Sequence, residues 1–480
     1  MLFNSFIYLL AFLPLTVSLY LLLNYKRLVL IANVWLVTAS LFFYAYWKIS
    51  LLPVILVSIL VNYVIGRQLS IAINQEAISW ETRGRLTLFC GILFNVGLLG
   101  YFKYADFFIT NINVLFGTVI PLPQVALPLG ISFFTFQQIA YLVDSYKGYT
   151  GEYDFTNYVL FVSFFPQLIA GPIVHHKEMM PQFARLRNKL INWENIYTGL
   201  FFLGLGLFKK VVVADTFAVW ANKGFSAPET LTFITAWKTS LSYTIQLYFD
   251  FSAYTDMAIG SARLVNIHIA QNFNSPYMAL DIRDFWRRWH ITLGRFLRDY
   301  IYILMGGNRK GTIRTYLNLF VTFLIGGIWH GAGWTFALWG ALHGAALCLH
   351  RLWKDTGLRM PKTAAWLVTF LFVNAAWVVF RADSFHTAMT ILNAMTNIAA
   401  ADFQSIIQTT VSGTINWPPL SLMFILFYVL QDVFFRNTQS WATHLRPHLG
   451  WTLGAVTAFV TSIILMMNLN RFTEFIYFQF

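Results

Sequence analysis

Two histidines carry the chemistry that this sequence could support. His330 ends the apolar run TYLNLFVTFLIGGIWH, and His290 sits in the basic, aromatic segment DIRDFWRRWHITLGRF. Imidazole titrates near neutrality, so a positioned histidine can take a proton from an attacking hydroxyl and return it later. The run holding His330 begins after Arg314, and at about 1.5 Å rise per residue the histidine lies about 24 Å along a helix from that charge. Hydrocarbon is about 30 Å thick, which places His330 well inside a bilayer, where an ionisable side chain is costly and marks function. A core histidine satisfied by a backbone carbonyl is the structural alternative. Gly326, Gly327, Gly331 and Gly333 surround it; such residues let backbones approach closely or let a helix break.

His290 is positioned by its own segment. Read as a helix, Asp281–Met305 puts Phe285, Trp289, Leu293, Phe296, Leu297, Tyr300 and Leu304 at three- and four-residue steps, with Arg287, Arg295 and Arg298 elsewhere. That spacing predicts an interfacial helix lying along a membrane surface, with His290 at the edge of the apolar stripe and turned toward protein. There it would polarise a substrate carbonyl, orient the substrate or hold His330 in one tautomer; the alternative is an anchor among interfacial aromatics. Asp250 and Asp256 lie within the apolar run YTIQLYFDFSAYTDMAIG. Buried carboxylates need partners, and an arginine of the Arg283–Arg314 segment, a catalytic histidine or a broken helix end would each serve. Asn272, Asn274 and Ser275 read as turn residues before Pro276, and His175, His176 and Lys177 as a loop cluster that either sets topology or meets a phosphate-rich donor.

The elements holding these residues are membrane spans. Hydrophobic residues make up 58% of the 480 and charged ones 11%, with mean hydropathy +0.59, far from the roughly 25% charged of soluble proteins. The chain reads as an all-α polytopic membrane protein with a single membrane domain over 1–480 and no soluble domain. Its first segment lacks a basic leader and a small-residue cleavage site, so Ser5–Leu23 is expected as a retained span. Further spans are expected near 28–46, 50–65, 86–104, 196–213, 233–260, 315–330, 334–350, 364–380, 418–435 and 451–468, about eleven in all. Leu127–Leu142 and Phe155–Val174 carry Pro128, Gly130, Pro166, Gly171 and Pro172 and read as re-entrant or broken helices, tolerated at membrane depth only inside protein or along a cavity. Ala399–Trp417 reads as an exposed loop or surface helix.

The net charge of +13 is spread between apolar spans rather than over one soluble face, which argues against nucleic acid. Arg283–Arg314 holds eight Lys or Arg against Asp284 and Asp299, so it is expected on the cytoplasmic side. Cys90 and Cys348 both lie in apolar runs without ligand spacing, and neither a disulfide framework nor a metal site is expected. No nucleotide-binding, metalloprotease or serine-hydrolase motif stands in a supporting context. A transporter would show two-fold hydropathy symmetry and matched charge pairs, and neither is visible.

The block NFNSPYMALDIRDFWRRWHITLGRFLRDYIYILMGGNRKG followed by GGIWHGAGWTFALWGALHG resembles the membrane-bound O-acyltransferase family, in its bacterial alginate O-acetyltransferase branch. YFDFSAYTDMAIG, PQLIAGPIVH and the C-terminal FIYFQF extend the likeness over most of the chain. Leu304 and Met305 stand where the branch usually has a proline before the glycines, which bears on the local turn. The resemblance implies transmembrane, re-entrant and interfacial helices around a central tunnel, with His330 the catalytic histidine and His290 the second one. Trp289, Arg288, Asn274, Asp250 and Trp329 are then the candidate substrate contacts. It also implies an inner-membrane enzyme that passes an acetyl group from acetyl-CoA, with no tightly bound cofactor, to an alginate-like polysaccharide or peptidoglycan. A periplasmic SGNH-type acetyltransferase is the implied partner. Rival readings are D-alanyl transfer to teichoic acid, acyl transfer to a lipid or protein, and a non-enzymatic scaffold or transporter subunit of a secretion complex.

Overall fold

The computed structural model describes residues 1–74, 80–150, 154–169, 171–397, 449–469 and 474–476. Every regular element among them is helical. In chain order these are α1 (Leu13–Tyr25), α2 (Val29–Ala45), α3 (Leu52–Asn74), α4 (Trp80–Leu99), α5 (Ala105–Phe116), α6 (Ile131–Tyr146), α7 (Phe155–Ser163), α8 (His176–Ala184) and α9 (Trp193–Phe208). They continue with α10 (Asp215–Ser226), α11 (Phe233–Leu264), α12 (Ile282–Arg288), α13 (Ile291–Leu297), α14 (Thr312–His330), α15 (Trp334–Asp355), α16 (Lys362–Arg381), α17 (Phe385–Thr396) and α18 (Leu449–Leu469). Among the described residues seven helical stretches are long and apolar enough to cross a membrane, running from Ile7–Tyr25 to Leu449–Met467. The expected spans coincide with helices wherever they are described, but those at 28–46, 233–260 and 334–350 are not among the seven; the one at 418–435 and the Ala399–Trp417 loop lie outside the described residues.

Packing divides the chain into two compact units whose segments interleave. The first comprises Met1–Leu205, Tyr254–Ala270 and Pro447–Ala455, and the second Gly206–Ala253, Gln271–Arg446 and Val456–Phe480. Apolar helices gain little by meeting one another in lipid, so small residues and side-chain hydrogen bonds hold them together. In the first unit Asn62 of α3 and Asn95 of α4 exchange amide hydrogen bonds, Nδ2 to Oδ1, at 3.2 and 2.6 Å while fully buried. Gln138 of α6 donates to the Ser58 hydroxyl at 2.9 Å. The broken segments behave as their prolines and glycines require. Gly130 starts α6 at φ +69°, and a Cβ there would meet the Leu168 carbonyl oxygen at 2.6 Å, so only glycine fits. The Phe155–Val174 stretch is one short helix, α7, followed, where it is described, by irregular chain.

In the second unit, polar side chains tie α11 to α16. Ser240 donates to Asn374 Oδ1 at 2.7 Å, and Asn374 Nδ2 donates to the Thr244 hydroxyl at 2.7 Å. α14 and α15 pack closely, and their glycines explain it. A Cβ on Gly327 would stand 2.4 Å from the Phe336 carbonyl oxygen, and one on Gly340 2.5 Å from that of Phe323. Gly327 of GGIWHG therefore serves close backbone approach, while Gly331, where a Cβ would strike the Phe336 ring, lets the chain leave α14 directly after His330.

The expected single helix over Asp281–Met305 is instead two short helices, α12 and α13, parted at Trp289 and His290. His290 has φ +44° and ψ +53°, a left-handed conformation that non-glycine residues seldom adopt. The break comes from the preceding turn. Asn274 N–H donates to the Arg288 carbonyl at 2.9 Å, and Ile291 N–H donates to the Asn272 carbonyl at 2.9 Å, so 272–274 takes up backbone groups that a continuous helix would have used. The apolar stripe survives the bend. Phe285, Trp289, Leu293, Phe296 and Leu297 are all buried, while Tyr300 is half-buried and Leu304 exposed.

Candidate active site

His290 is fully buried, turned inward as its place on the stripe predicts, and its surroundings define its protonation. Asn272 Oδ1 accepts the Thr292 backbone N–H at 3.3 Å and the Thr292 hydroxyl at 2.9 Å. A backbone N–H can only donate, so this atom is the amide oxygen, and His290 Nδ1, 3.1 Å away, must carry the proton it shares. In the neutral ring Nε2 then presents a lone pair. Burial pushes the His290 imidazole down to about 3, which keeps it neutral at physiological pH. A neutral Nδ1–H ring accepts a proton or a hydrogen bond at Nε2 and has no N–H left to polarise a carbonyl, which removes one role considered for it. Phe251 packs edge-on to the ring at 4.9 Å between centroids.

His330 closes α14 and is 5% exposed. Aromatic rings wall it: Trp329 at 5.0 Å, Trp339 edge-on at 5.1 Å and Phe380 at 5.3 Å. Trp329, itself buried, also lies 6.4 Å from the His290 ring. The two histidines therefore flank one indole, although 40 residues separate them in sequence. Such a lining excludes water, and charge developing inside it is felt strongly.

The other candidate contacts take distinct places. Trp289 is buried between Phe285, Phe273, Tyr277 and Trp377 and supports the His290 turn by packing. Arg288 pairs with Asp284 at 2.9 Å and reaches the Asn274 carbonyl at 3.4 Å, so it braces that turn, with Asn274 exposed on its outer side. Asp250 is paired neither with an arginine of the 283–314 segment nor with a histidine. Its carboxylate meets Lys210 at 2.9 Å and accepts the Ile476 N–H at 2.8 Å, and Lys210 also reaches Asp215 at 2.9 Å. This buried ion network anchors α11 and the chain near its C-terminus.

Two residues bear on the site more than their sequence suggested. Asn272, read as a turn former, is the residue that sets the His290 tautomer. His343 lies four residues after Trp339 on α15, fully buried, with Nδ1 accepting the Trp286 indole N–H at 3.2 Å. The Trp339–His343 step of i, i+4 places both on one helix face and was the signal available for it.

Beside α12 and α13 lies a cavity of about 970 Å³. Arg283, Arg287, Arg295, Arg298, Arg309, Arg351 and Lys354 line it against a lone carboxylate, Asp355. Trp286 and Ile291, near His290 in sequence, and Thr322 and Phe323 of α14 form its wall. Along α14, Phe323 precedes His330 by about 10 Å at 1.5 Å per residue. The field of such a pocket favours polyanions, phosphates above all. Cys90 and Cys348 are free thiols.

The apolar helices and the family match together define a multi-pass membrane acyltransferase. Residues 17–385 match the membrane-bound O-acyltransferase family, and the chain belongs to it. A peptidoglycan O-acetyltransferase of Helicobacter pylori is 48% identical over 428 residues, covering 83% of this chain and 80% of that protein. A probable alginate O-acetylase of Azotobacter vinelandii is 40% identical over 403 residues, covering 82% and 78%. Another, of Pseudomonas putida, is 36% identical over the whole of both chains.

Proposed function

We propose that this protein transfers an acetyl group from acetyl-CoA on the cytoplasmic side of the inner membrane to a hydroxyl destined for peptidoglycan, working with a periplasmic SGNH-type acetyltransferase. The observation that carries the acceptor is the 48% identity to the peptidoglycan enzyme over most of both chains. Identities of 36–40% to alginate O-acetylases support an alginate-like polysaccharide as the second reading.

The chemistry follows from the site. The acceptor hydroxyl approaches His330, whose imidazole takes its proton as the oxygen attacks the thioester carbon. The carbon–sulfur bond then breaks, the thiolate leaves, and the imidazolium returns the proton to sulfur. His290, neutral and Nδ1-protonated through Asn272, orients the acceptor by accepting at Nε2 a hydrogen bond from a second hydroxyl of the same sugar, leaving the attacking hydroxyl's proton to His330. The arginine-lined cavity holds the donor's phosphates while its acyl arm reaches toward His330. Only the acyl group needs to cross, which suits a donor that is itself too charged to enter a bilayer.

The test is chemical analysis of the envelope. Mass spectrometry of muropeptides from cells with and without the gene should show O-acetylated species only with it. Unchanged muropeptide acetylation together with loss of acetyl groups from an exopolysaccharide would move the acceptor to the second reading, and no change in either polymer would reject both.

A further inference from the structure

We propose that Asp144, His175 and His176 form a binding site for a divalent first-row metal ion of zinc type, separate from the residues assigned to acyl transfer. Asp144 belongs to the last turn of α6, His175 caps the start of α8, and His176 is the first residue of α8. Thirty residues of chain separate the carboxylate from the first imidazole, yet both imidazoles converge on one carboxylate oxygen. His175 Nε2 is 3.1 Å and His176 Nε2 2.9 Å from Asp144 Oδ2, and one ligand atom from each residue lies within 4.8 Å of the others.

Zinc bonds to nitrogen and carboxylate oxygen are about 2.0–2.2 Å, so neighbouring ligands around a tetrahedral ion stand roughly 3.3 Å apart. The two nitrogen–oxygen separations, 3.1 and 2.9 Å, need to open by only a few tenths of an ångström, and the partly exposed His175 ring can swing to bring the two imidazole nitrogens, within 4.8 Å, to the same spacing. Two imidazoles and one carboxylate, with remaining positions for water, make a donor set that suits zinc and other late first-row divalent ions.

The surroundings favour an ion here. His176 is buried, its ring held edge-on by Tyr141 at 5.9 Å and Phe161 at 6.5 Å; a ligand so placed has little freedom left to lose. The His175 side chain is 20% exposed, which opens one flank for entry and for water ligands. Lys177, the next cation in sequence, turns onto the Tyr149 ring at 4.2 Å. A bound ion would clip the end of α6 to the start of α8 across the stretch that carries α7, and because it binds the folded state it raises thermal stability. Adjacent histidines after GPIV gave no ligand spacing in sequence, since the third ligand is supplied by a helix end far upstream.

The full-length chain, carrying no histidine tag, is purified in mild detergent, stripped with a chelator and titrated with zinc chloride. Metal content after desalting, binding affinity and melting temperature are then read. The expected result is about one zinc per chain bound tighter than about 1 µM, with a raised melting temperature. His175→Ala, at a partly exposed position that leaves packing intact, and Asp144→Asn should each weaken binding at least about tenfold. Cobalt(II) in place of zinc should give visible absorption in the wild type that His175→Ala lacks. Stripped wild type that binds no zinc, or binds it no better than His175→Ala, overturns the site and leaves a hydrogen-bonded carboxylate between two imidazoles. None of these readouts depends on acyl transfer.

Discussion

Asn272 Oδ1 and His290 Nδ1 lie 3.1 Å apart, and the Thr292 N–H on that same oxygen decides which of the pair holds the proton. A residue before one short helix thereby fixes the chemistry of a residue after it. Asn272→Ala removes the acceptor and frees the ring to change tautomer, and activity should fall about 10- to 100-fold with the protein still folded. Asn272→Asp keeps an acceptor and should lose less, while moving the acid limb of the pH–rate profile upward. Initial rates of acetyl transfer across pH check both; equal losses in the two variants would mean that Asn272 serves only the turn.

Burial of His290 makes stability depend on acid. Its native value near 3 lies below the roughly 6.5 of an unfolded histidine. Above about pH 6.5 neither state binds the proton and the group has no effect. Between about pH 6.5 and 3 the unfolded chain takes up a proton that the native state refuses, and stability falls by about 1.4 kcal/mol per pH unit. Melting temperatures from neutral to mildly acidic pH should therefore decline less steeply in His290→Gln than in the wild type. Parallel curves would show that the wild-type ring is protonated in place.

The arginine-lined cavity should govern donor affinity rather than turnover. Arg287→Ala combined with Arg309→Ala, both exposed on its lining, should raise the apparent KM for acetyl-CoA about tenfold, or about 1.4 kcal/mol, and leave kcat within about twofold. The wild-type KM should also climb with ionic strength more steeply than that of the double variant. A fall in kcat at unchanged KM would move donor binding elsewhere.

The α14–α15 contact allows a direct steric test. Gly340→Val must displace the Phe323 carbonyl, which a Cβ would meet at 2.5 Å, and should cost about 1–3 kcal/mol. Gly97→Ala, where nothing lies within 4 Å, is the control and should leave the melting temperature in detergent unchanged.

Hydropathy alone makes the helices legible, because a span must be long enough to cross hydrocarbon and must satisfy its own backbone. His330 was legible for the same reason, as an ionisable group far from the nearest charge. The break at His290 was not. The apolar stripe from Phe285 to Leu297 runs through it without interruption, and the left-handed turn arises only when 272–274 bonds to 288–292. Asn272 looked architectural because its effect on His290 depends on that same long-range pairing. Asp250 announced a need for a cation, but Lys210 sits in an apolar run of its own, and only the fold brings them together.

The most direct measurement is the acetyl content of the cell-wall glycan in cells whose only copy of the gene carries His330→Ala, with membrane levels of the protein matched to wild type. Acetate released by mild base should drop to the level of the deletion strain. Acetylation at the wild-type level in those cells would contradict acyl transfer at His330.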